Sequence, residues 1–144
     1  MPHEETLRNV QLFSRFSSKE LTRLGRAVVE RQYKKGETIV KEGEQAVAFF
    51  IVASGKVEVA QAVGSKKPQV LDTLGPKESF GEMALLDGGP RSATVKALDD
   101  TKCLVISRWD FVAELQTNPH MAVAMLPILS RRLRDVEAKL AATH

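Results

Sequence analysis

The chain has 144 residues, of which 43% are hydrophobic and 27% charged, and its formal net charge is +3 at pH 7. This length and composition suit a soluble globular domain with one core. The small basic excess is not gathered into a stripe, which disfavours a non-specific nucleic-acid binder. No stretch near Met1 is apolar enough for a signal peptide or a membrane span, so we expect a cytoplasmic protein.

The first segment, residues 1–29, is predicted to be helical. Ser17-Ser18-Lys19-Glu20 has the form of a capping box, with Ser17 as the N-cap and Glu20 three residues later. Apolar residues from Leu21 to Val29 follow at helical spacing. An apolar lead-in between residues 7 and 16 predicts another short helix before this one.

Residues 30–107 are predicted to be β structure, because short apolar runs alternate there with turn signals. Ser54-Gly55 between two such runs is a hairpin signal. Many short strands without helices between them predict a sandwich or barrel rather than a parallel βαβ sheet. The predicted strands span 38–41, 49–53, 56–62, 69–74, 93–98 and 102–107.

One stretch within this segment, residues 79–95, departs from the pattern of a core strand. Gly81 precedes a run of good helix formers from Glu82 to Leu86, which predicts one short helical turn. Gly88-Gly89-Pro90 predicts a tight loop, and Arg91 then opens the next strand.

This stretch favours an anion site. A helix N-terminus offers unpaired N–H groups, and Arg91 can bind two phosphate oxygens at once. The hydroxyl of Ser92 and the amides of Ser92 and Ala93 add further donors. The ionised carboxylate of Glu82 is an acceptor only, so it suits a ribose hydroxyl. The alternative is a structural salt bridge between Glu82 and Arg91. Such a pair would have to lose its hydration and would stabilise the fold little.

Residues 108–144 are predicted to be helical again. Asn118-Pro119 ends a short amphipathic stretch that starts near Trp109, and Pro127 either kinks a helix or opens a new one. A heptad-like seam with spacings of 3, 4, 3 and 4 follows, formed by Leu126, Leu129, Leu133, Val136 and Leu140. The seam could dock on the β segment or pair with a second copy of the chain.

Residue types that build catalytic or metal sites are sparse. Cys103 is the single cysteine, which excludes an internal disulfide, and its apolar surroundings predict a buried thiol. His3, His120 and His144 are scattered, so no pair has the spacing of metal ligands. No catalytic triad, paired carboxylates or Walker-type loop is found, so we expect neither an enzyme nor a metal site.

The run Phe80-Gly81-Glu82-Met83-Ala84-Leu85-Leu86, followed by Pro90-Arg91-Ser92-Ala93-Thr94-Val95, resembles the phosphate-binding cassette of cyclic-nucleotide-binding domains. That family includes regulatory subunits of cAMP-dependent protein kinases, cyclic-nucleotide-gated channels and the catabolite activator transcription factors. The resemblance covers roughly residues 10 to 140. We use "cassette" below for residues 80–95.

The resemblance implies a mainly β fold, an eight-stranded jelly-roll barrel with N-terminal helices and C-terminal lid helices, in a single domain spanning residues 1–144. It implies a regulatory domain in signal transduction that binds cAMP or cGMP. Arg91 would pair with the cyclic phosphate, and Glu82 would accept from the ribose 2′-hydroxyl. The cassette would be lined by Gly81, Met83, Ala84, Ser92 and Ala93.

The base contact is the point where the chain departs from the catabolite activator. Val136 and Glu137 stand where that family has a polar base-contacting pair, so Val136 is the candidate for the contact. Ser92 is compatible with both bases, and the choice between cAMP and cGMP stays open.

Two other functions also stay open. One is a scaffold that binds no nucleotide and acts by homodimerisation through the seam helix or by gripping another protein. The other is a fragment of a transcription regulator. Unless the chain is such a fragment, its end at His144, just after the seam, leaves no room for a helix-turn-helix domain, and we then expect no direct DNA binding.

Overall fold

The computed structural model describes residues 3–143. They divide into two compact units. The β unit comprises residues 27–112, and the helical unit comprises the residues up to 26 together with those from 113 onward.

The β unit contains eight strands among the described residues, and they form two antiparallel sheets of four. The strands are β1 (Val29–Tyr33), β2 (Thr38–Val40), β3 (Ala48–Ser54), β4 (Val57–Gln61), β5 (Gln69–Leu74), β6 (Ser79–Phe80), β7 (Thr94–Ala97) and β8 (Thr101–Ser107). One sheet has the order β1-β8-β3-β6, and the other has the order β2-β7-β4-β5. Eight strands divided in this way between two sheets form a jelly roll.

The predicted jelly-roll barrel is wrong in one respect, because the sheets do not close on each other. Within residues 3–143 no pairing between the named strands joins one sheet to the other. The edges of the two sheets are β1, β6, β2 and β5.

The six strands predicted from the sequence are confirmed to within one residue at each end, but β1 is missed; β6 is not among the six, although the sequence predicts that a strand ends at Phe80-Gly81. β1 is polar and almost wholly exposed, so its side chains carry no strand pattern. It forms because all five of its residues pair with β8, from Val29 opposite Val105 to Tyr33 opposite Thr101. β6 has two residues, which is too short for any periodicity.

The core of the β unit lies on β3, β4, β5, β7 and β8. One cluster of buried residues consists of Val52, Val57, Leu74 and Val95, and another consists of Phe50, Cys103 and Val105. Burial raises the pKa of the Cys103 thiol to about 11. The prediction of a buried thiol is therefore confirmed, and the thiol stays protonated and unreactive at neutral pH.

The helical unit contains α1 (Glu4–Arg8), α2 (Ser18–Gly25) and α5 (His120–Ala142). The predicted capping box is confirmed: the amide of Glu20 donates to Ser17 Oγ at 3.1 Å, and the amide of Ser17 donates to Glu20 Oε1 at 2.8 Å. The second oxygen of Glu20 accepts from Asn118 Nδ2 at 2.7 Å. Arg23 and Glu114 form an ion pair at 3.4 Å.

A 3₁₀ helix (Gln11–Phe13) between α1 and α2 and two further α-helices complete the order of elements. α3 (Ala84–Asp87) lies between β6 and β7, and α4 (Arg108–Thr117) follows β8 directly. As predicted, α4 ends just before Asn118-Pro119. Pro127 lies inside α5, so it does not open a new helix. No helix in residues 3–143 is long and apolar enough to cross a membrane.

Candidate functional site

The cassette leaves β6 through a turn that only glycine fits. Gly81 has φ +82°, in the left-handed region that other residues adopt at a cost. A Cβ at this position would also collide with Nη1 of Arg91 and approach the Ala48 carbonyl oxygen. The backbone of Gly81 therefore lies directly against the guanidinium that the sequence singled out.

The helical turn after Gly81 is shorter than predicted. α3 begins at Ala84 rather than at Glu82, and it ends at Asp87, with Gly88 in the left-handed conformation as its C-cap. Four residues align few peptide dipoles, so the argument from a helix N-terminus loses most of its weight. The charge that remains for an anion is the guanidinium of Arg91.

Arg91 is fixed by its backbone before β7 begins. Its amide donates to the Glu44 carbonyl oxygen at 2.7 Å, and its carbonyl oxygen accepts from the amide of Gly43 at 2.9 Å. The side chain turns inward, where Nη2 donates to the Ala48 carbonyl oxygen at 2.7 Å. Burial lowers the pKa of Arg91, and the negative charge of Glu44 partly offsets this effect. Arginine stays charged in proteins, so the site keeps one cation.

A cavity of about 450 Å³ lies beside this guanidinium. This volume is in the range of small-molecule sites. Its walls carry one cation, Arg91, and two acidic side chains, Glu82 and Asp87. The lining residues are Ala46, Gly81, Glu82, Met83, Ala84, Asp87, Gly89, Pro90, Arg91 and Ser92.

The cavity brings together six of the eight candidate site residues: Gly81, Glu82, Met83, Ala84, Arg91 and Ser92. Ala93 is next to them in sequence, but it is only 8% exposed and does not line the cavity. Val136 lies on α5 in the helical unit, and its contact with a base stays a prediction.

The loop between α3 and Arg91 is held by hydrogen bonds at both sides. Asp87 Oδ1 accepts from the amide of Gly89 at 2.8 Å, and the Gly89 carbonyl oxygen accepts from the amide of Ala46 at 2.9 Å. Gln61 Nε2 donates to the Ser92 carbonyl oxygen at 2.9 Å. The cassette is thus tied to the loop before β3 and to the end of β4.

Four lining residues were absent from the sequence-based candidates: Ala46, Asp87, Gly89 and Pro90. Asp87 had a detectable signal, because aspartate before glycine is typical of a turn in which the carboxylate accepts from the backbone. Ala46 had none, since its place depends on the fold bringing the loop before β3 to the cassette.

No group of three or more metal-ligating side chains occurs in the part of the chain that the structure describes. The cavity walls offer donors from a guanidinium and a serine and acceptors from carboxylates, groups that are suited to an anion and a hydroxyl.

Comparison with known proteins gives consistent matches. The family model described as "Cyclic nucleotide-binding domain" matches residues 30–118. The Cyclic AMP receptor protein of Thermus thermophilus is 39% identical over 110 residues, which are 76% of this chain and 51% of that protein. Human cGMP-dependent protein kinase 2 is 41% identical over 107 residues, which are 73% of this chain and 14% of the kinase.

Solved structures with the same fold are also found. The crystal structure of the N-terminal domain of a transcriptional regulator from Streptomyces coelicolor A3(2) superposes with a TM-score of 0.85 at 30% identity, over 94% of each chain. The two relatives named above are longer proteins, of which this chain spans about half and about one seventh.

Proposed function

The chain belongs to the cyclic nucleotide-binding domain family, and from that premise we propose that it is a sensor domain that binds cAMP or cGMP. One observation carries the proposal: Arg91, Glu82 and the backbone of Gly81 meet at a single cavity. A cation for a phosphate and an acceptor for a sugar hydroxyl are what a cyclic nucleotide requires there.

In this proposal each group has one role. The guanidinium of Arg91 donates to two oxygens of the cyclic phosphate, as planar guanidinium groups do with phosphates. Gly81 lets the ligand approach the backbone, and Ser92 adds a hydroxyl donor. Glu82 accepts from the ribose 2′-hydroxyl. Every role is binding, and none breaks or forms a covalent bond.

The output of the sensor is proposed to lie in the C-terminal helices. α5 would act as a lid, with Val136 against the base, so that residues 1–144 work as one domain. A ligand moves such an equilibrium only if it binds one helix arrangement better than the other. The names of the relatives include both cyclic AMP and cGMP, so they leave the base open.

Thermal melting with each nucleotide tests this proposal. A ligand present at 100 times its Kd stabilises a protein by about 2.7 kcal/mol, which is several degrees for a domain of this size. We expect cAMP or cGMP to raise Tm, and 5′-AMP, which lacks the ring of the phosphate, to raise it less. Unchanged melting with both cyclic nucleotides would favour a scaffold that binds no ligand.

A second role, homodimerisation through α5, is favoured by the exposure of the seam. Four of its residues keep more than half of their surface in contact with solvent: Leu126 (60%), Leu133 (61%), Val136 (53%) and Leu140 (57%). A heptad-like apolar stripe of this kind suits a second copy of the same helix. Sedimentation equilibrium tests the idea: a dimer is expected, and a monomer at 100 µM would contradict it.

A further inference from the structure

The side chain of Arg91 is held by two contacts from one strand. Nη2 donates to the Ala48 carbonyl oxygen at 2.7 Å, and Cζ lies 5.6 Å from the centroid of the Phe50 ring. Ala48 contributes through its backbone, which any residue would supply. Phe50 contributes through its ring, so this second contact depends on the amino-acid sequence.

Phe50 is itself rigidly placed. It is 6% exposed, and its ring stacks on Phe80 with centroids 4.9 Å apart and an angle of 5° between the planes. The two residues are direct partners in the pairing of β3 with β6. Phe80 immediately precedes Gly81, whose backbone lies against Arg91. The ring pair and the turn of the cassette are therefore built on the same two strands.

The physics of this contact favours a charged guanidinium. The face of an aromatic ring carries negative charge, which attracts a cation within about 6 Å of the centroid. The planar guanidinium of arginine also stacks well on aromatic faces, which lysine cannot do. A free arginine side chain has many rotamers, and fixing them at the moment of binding weakens affinity.

We infer that Phe50 is a positioning residue, which holds the guanidinium of Arg91 in the orientation that a cyclic phosphate needs. The inference rests on the proposed function, because it takes Arg91 as the phosphate ligand. Phe50 does not line the cavity, so it acts through Arg91 and not by touching the nucleotide. The ring pair thereby places the cation before the ligand arrives.

A double-mutant cycle separates positioning from ordinary core packing. Nucleotide affinity is measured by NMR titration for the native chain, Phe50→Leu, Arg91→Ala and the double variant, so that millimolar Kd values remain measurable. Phe50→Leu is expected to raise Kd about five- to tenfold in the native background. In the Arg91→Ala background the same change is expected to raise Kd less than about twofold.

Fluorinated phenylalanine at position 50 gives a second measurement that does not depend on a cavity in the core. One to three fluorine atoms withdraw charge from the ring face while they nearly preserve its shape. The logarithm of Kd is expected to rise stepwise with fluorine number, while Tm stays close to the native value. The matched control is Phe49, the neighbouring buried residue of β3, whose side chain points to the opposite face of the sheet.

The outcomes distinguish the two claims. No binding of cAMP or cGMP by the native chain would overturn the proposed function itself. Native binding that Arg91→Ala weakens, together with an equal effect of Phe50→Leu in both backgrounds, would overturn the positioning role alone. Fluorination without any effect on Kd would also overturn it, even if Phe50→Leu failed to fold.

Discussion

The cassette and the seam of α5 differ in which groups they bury: the cassette half-buries a charged group, whereas the seam exposes apolar groups. The cassette brings a cation into a half-buried place and fixes it with the Ala48 carbonyl oxygen and the Phe50 ring. The seam leaves large apolar side chains in solvent along a helix. Desolvated charge that is already oriented is typical of a binding site, whereas exposed apolar surface is typical of an interface. In the function we propose, the cassette therefore binds the nucleotide, and the seam is the surface that a second copy of the chain would cover.

The largest expected effect concerns the seam. In the dimer that we propose, Leu133→Glu places a charge on the apolar stripe twice, and losing the burial of two leucines costs about 3–6 kcal/mol. We expect the dimer to dissociate in sedimentation equilibrium while the chain still binds nucleotide. Ala138→Glu, an exposed position of α5 outside the seam, is the matched control and should leave the dimer intact. If both variants dissociated the dimer equally, the seam would contribute no more to dimerisation than other exposed positions of α5.

The next largest effect concerns the turn of the cassette. Gly81→Ala combines a strained left-handed residue, costing about 1–2 kcal/mol, with displacement of Arg91 by the new Cβ. We expect nucleotide affinity to fall by about a hundredfold in calorimetry. Gly75→Ala is the control, because Gly75 has an ordinary φ and the nearest atom to its Cβ is 3.9 Å away. Native affinity in Gly81→Ala would show that the close approach of backbone and guanidinium is unimportant.

A smaller effect separates stability from binding. Ser17→Ala removes half of the capping box of α2 and is expected to cost about 1 kcal/mol of unfolding free energy, measured by urea denaturation. Nucleotide affinity should not change, because Ser17 neither belongs to the cassette nor lines its cavity. Ser130→Ala, an exposed position without a capping role, should change neither quantity. A loss of nucleotide affinity in Ser17→Ala would contradict this prediction, because it would show that the cap of α2 also affects binding in the cassette.

The smallest effect is a dependence of stability on pH. The pKa of Glu20 is lowered from 4.5: burial alone would raise it, but hydrogen bonds from Ser17 and Asn118 and the nearby His120 outweigh burial. A carboxylate with a lowered pKa stabilises the fold above its unfolded pKa, and this contribution is lost as pH falls through the folded pKa. Unfolding free energy should therefore drop on acidification below about pH 5, and Glu20→Gln should flatten that drop. An unchanged acid profile in Glu20→Gln would contradict the assignment.

Local signals explain which parts of the fold could be predicted. The capping box at Ser17, the short alternating strands and the glycine turn at Gly81 are each determined by residues within a few positions of one another. β1 could not be predicted in this way, because its strand conformation comes from pairing with β8, far along the chain. The missing closure of the barrel also depends on how the two sheets meet, which no local pattern records.

The residues of the candidate site also fall into those that local sequence predicts and those that only the fold brings in. The cassette is contiguous in sequence, so most of its lining residues could be named from the motif. The groups that hold Arg91 in place are about forty residues away, on β3, and reach it only through strand pairing. Neither the carbonyl oxygen of Ala48 nor the ring of Phe50 gives a signal that differs from ordinary strand residues.

Calorimetric titration of Arg91→Ala with cAMP and cGMP tests the central claim most directly. If the guanidinium binds the cyclic phosphate, losing its charge-assisted hydrogen bonds costs about 1.5–3 kcal/mol, a fall in affinity of about ten- to a hundredfold. Arg31→Ala, at an exposed position on β1, should bind as the native chain does. Native affinity in Arg91→Ala, with either nucleotide, would contradict the account.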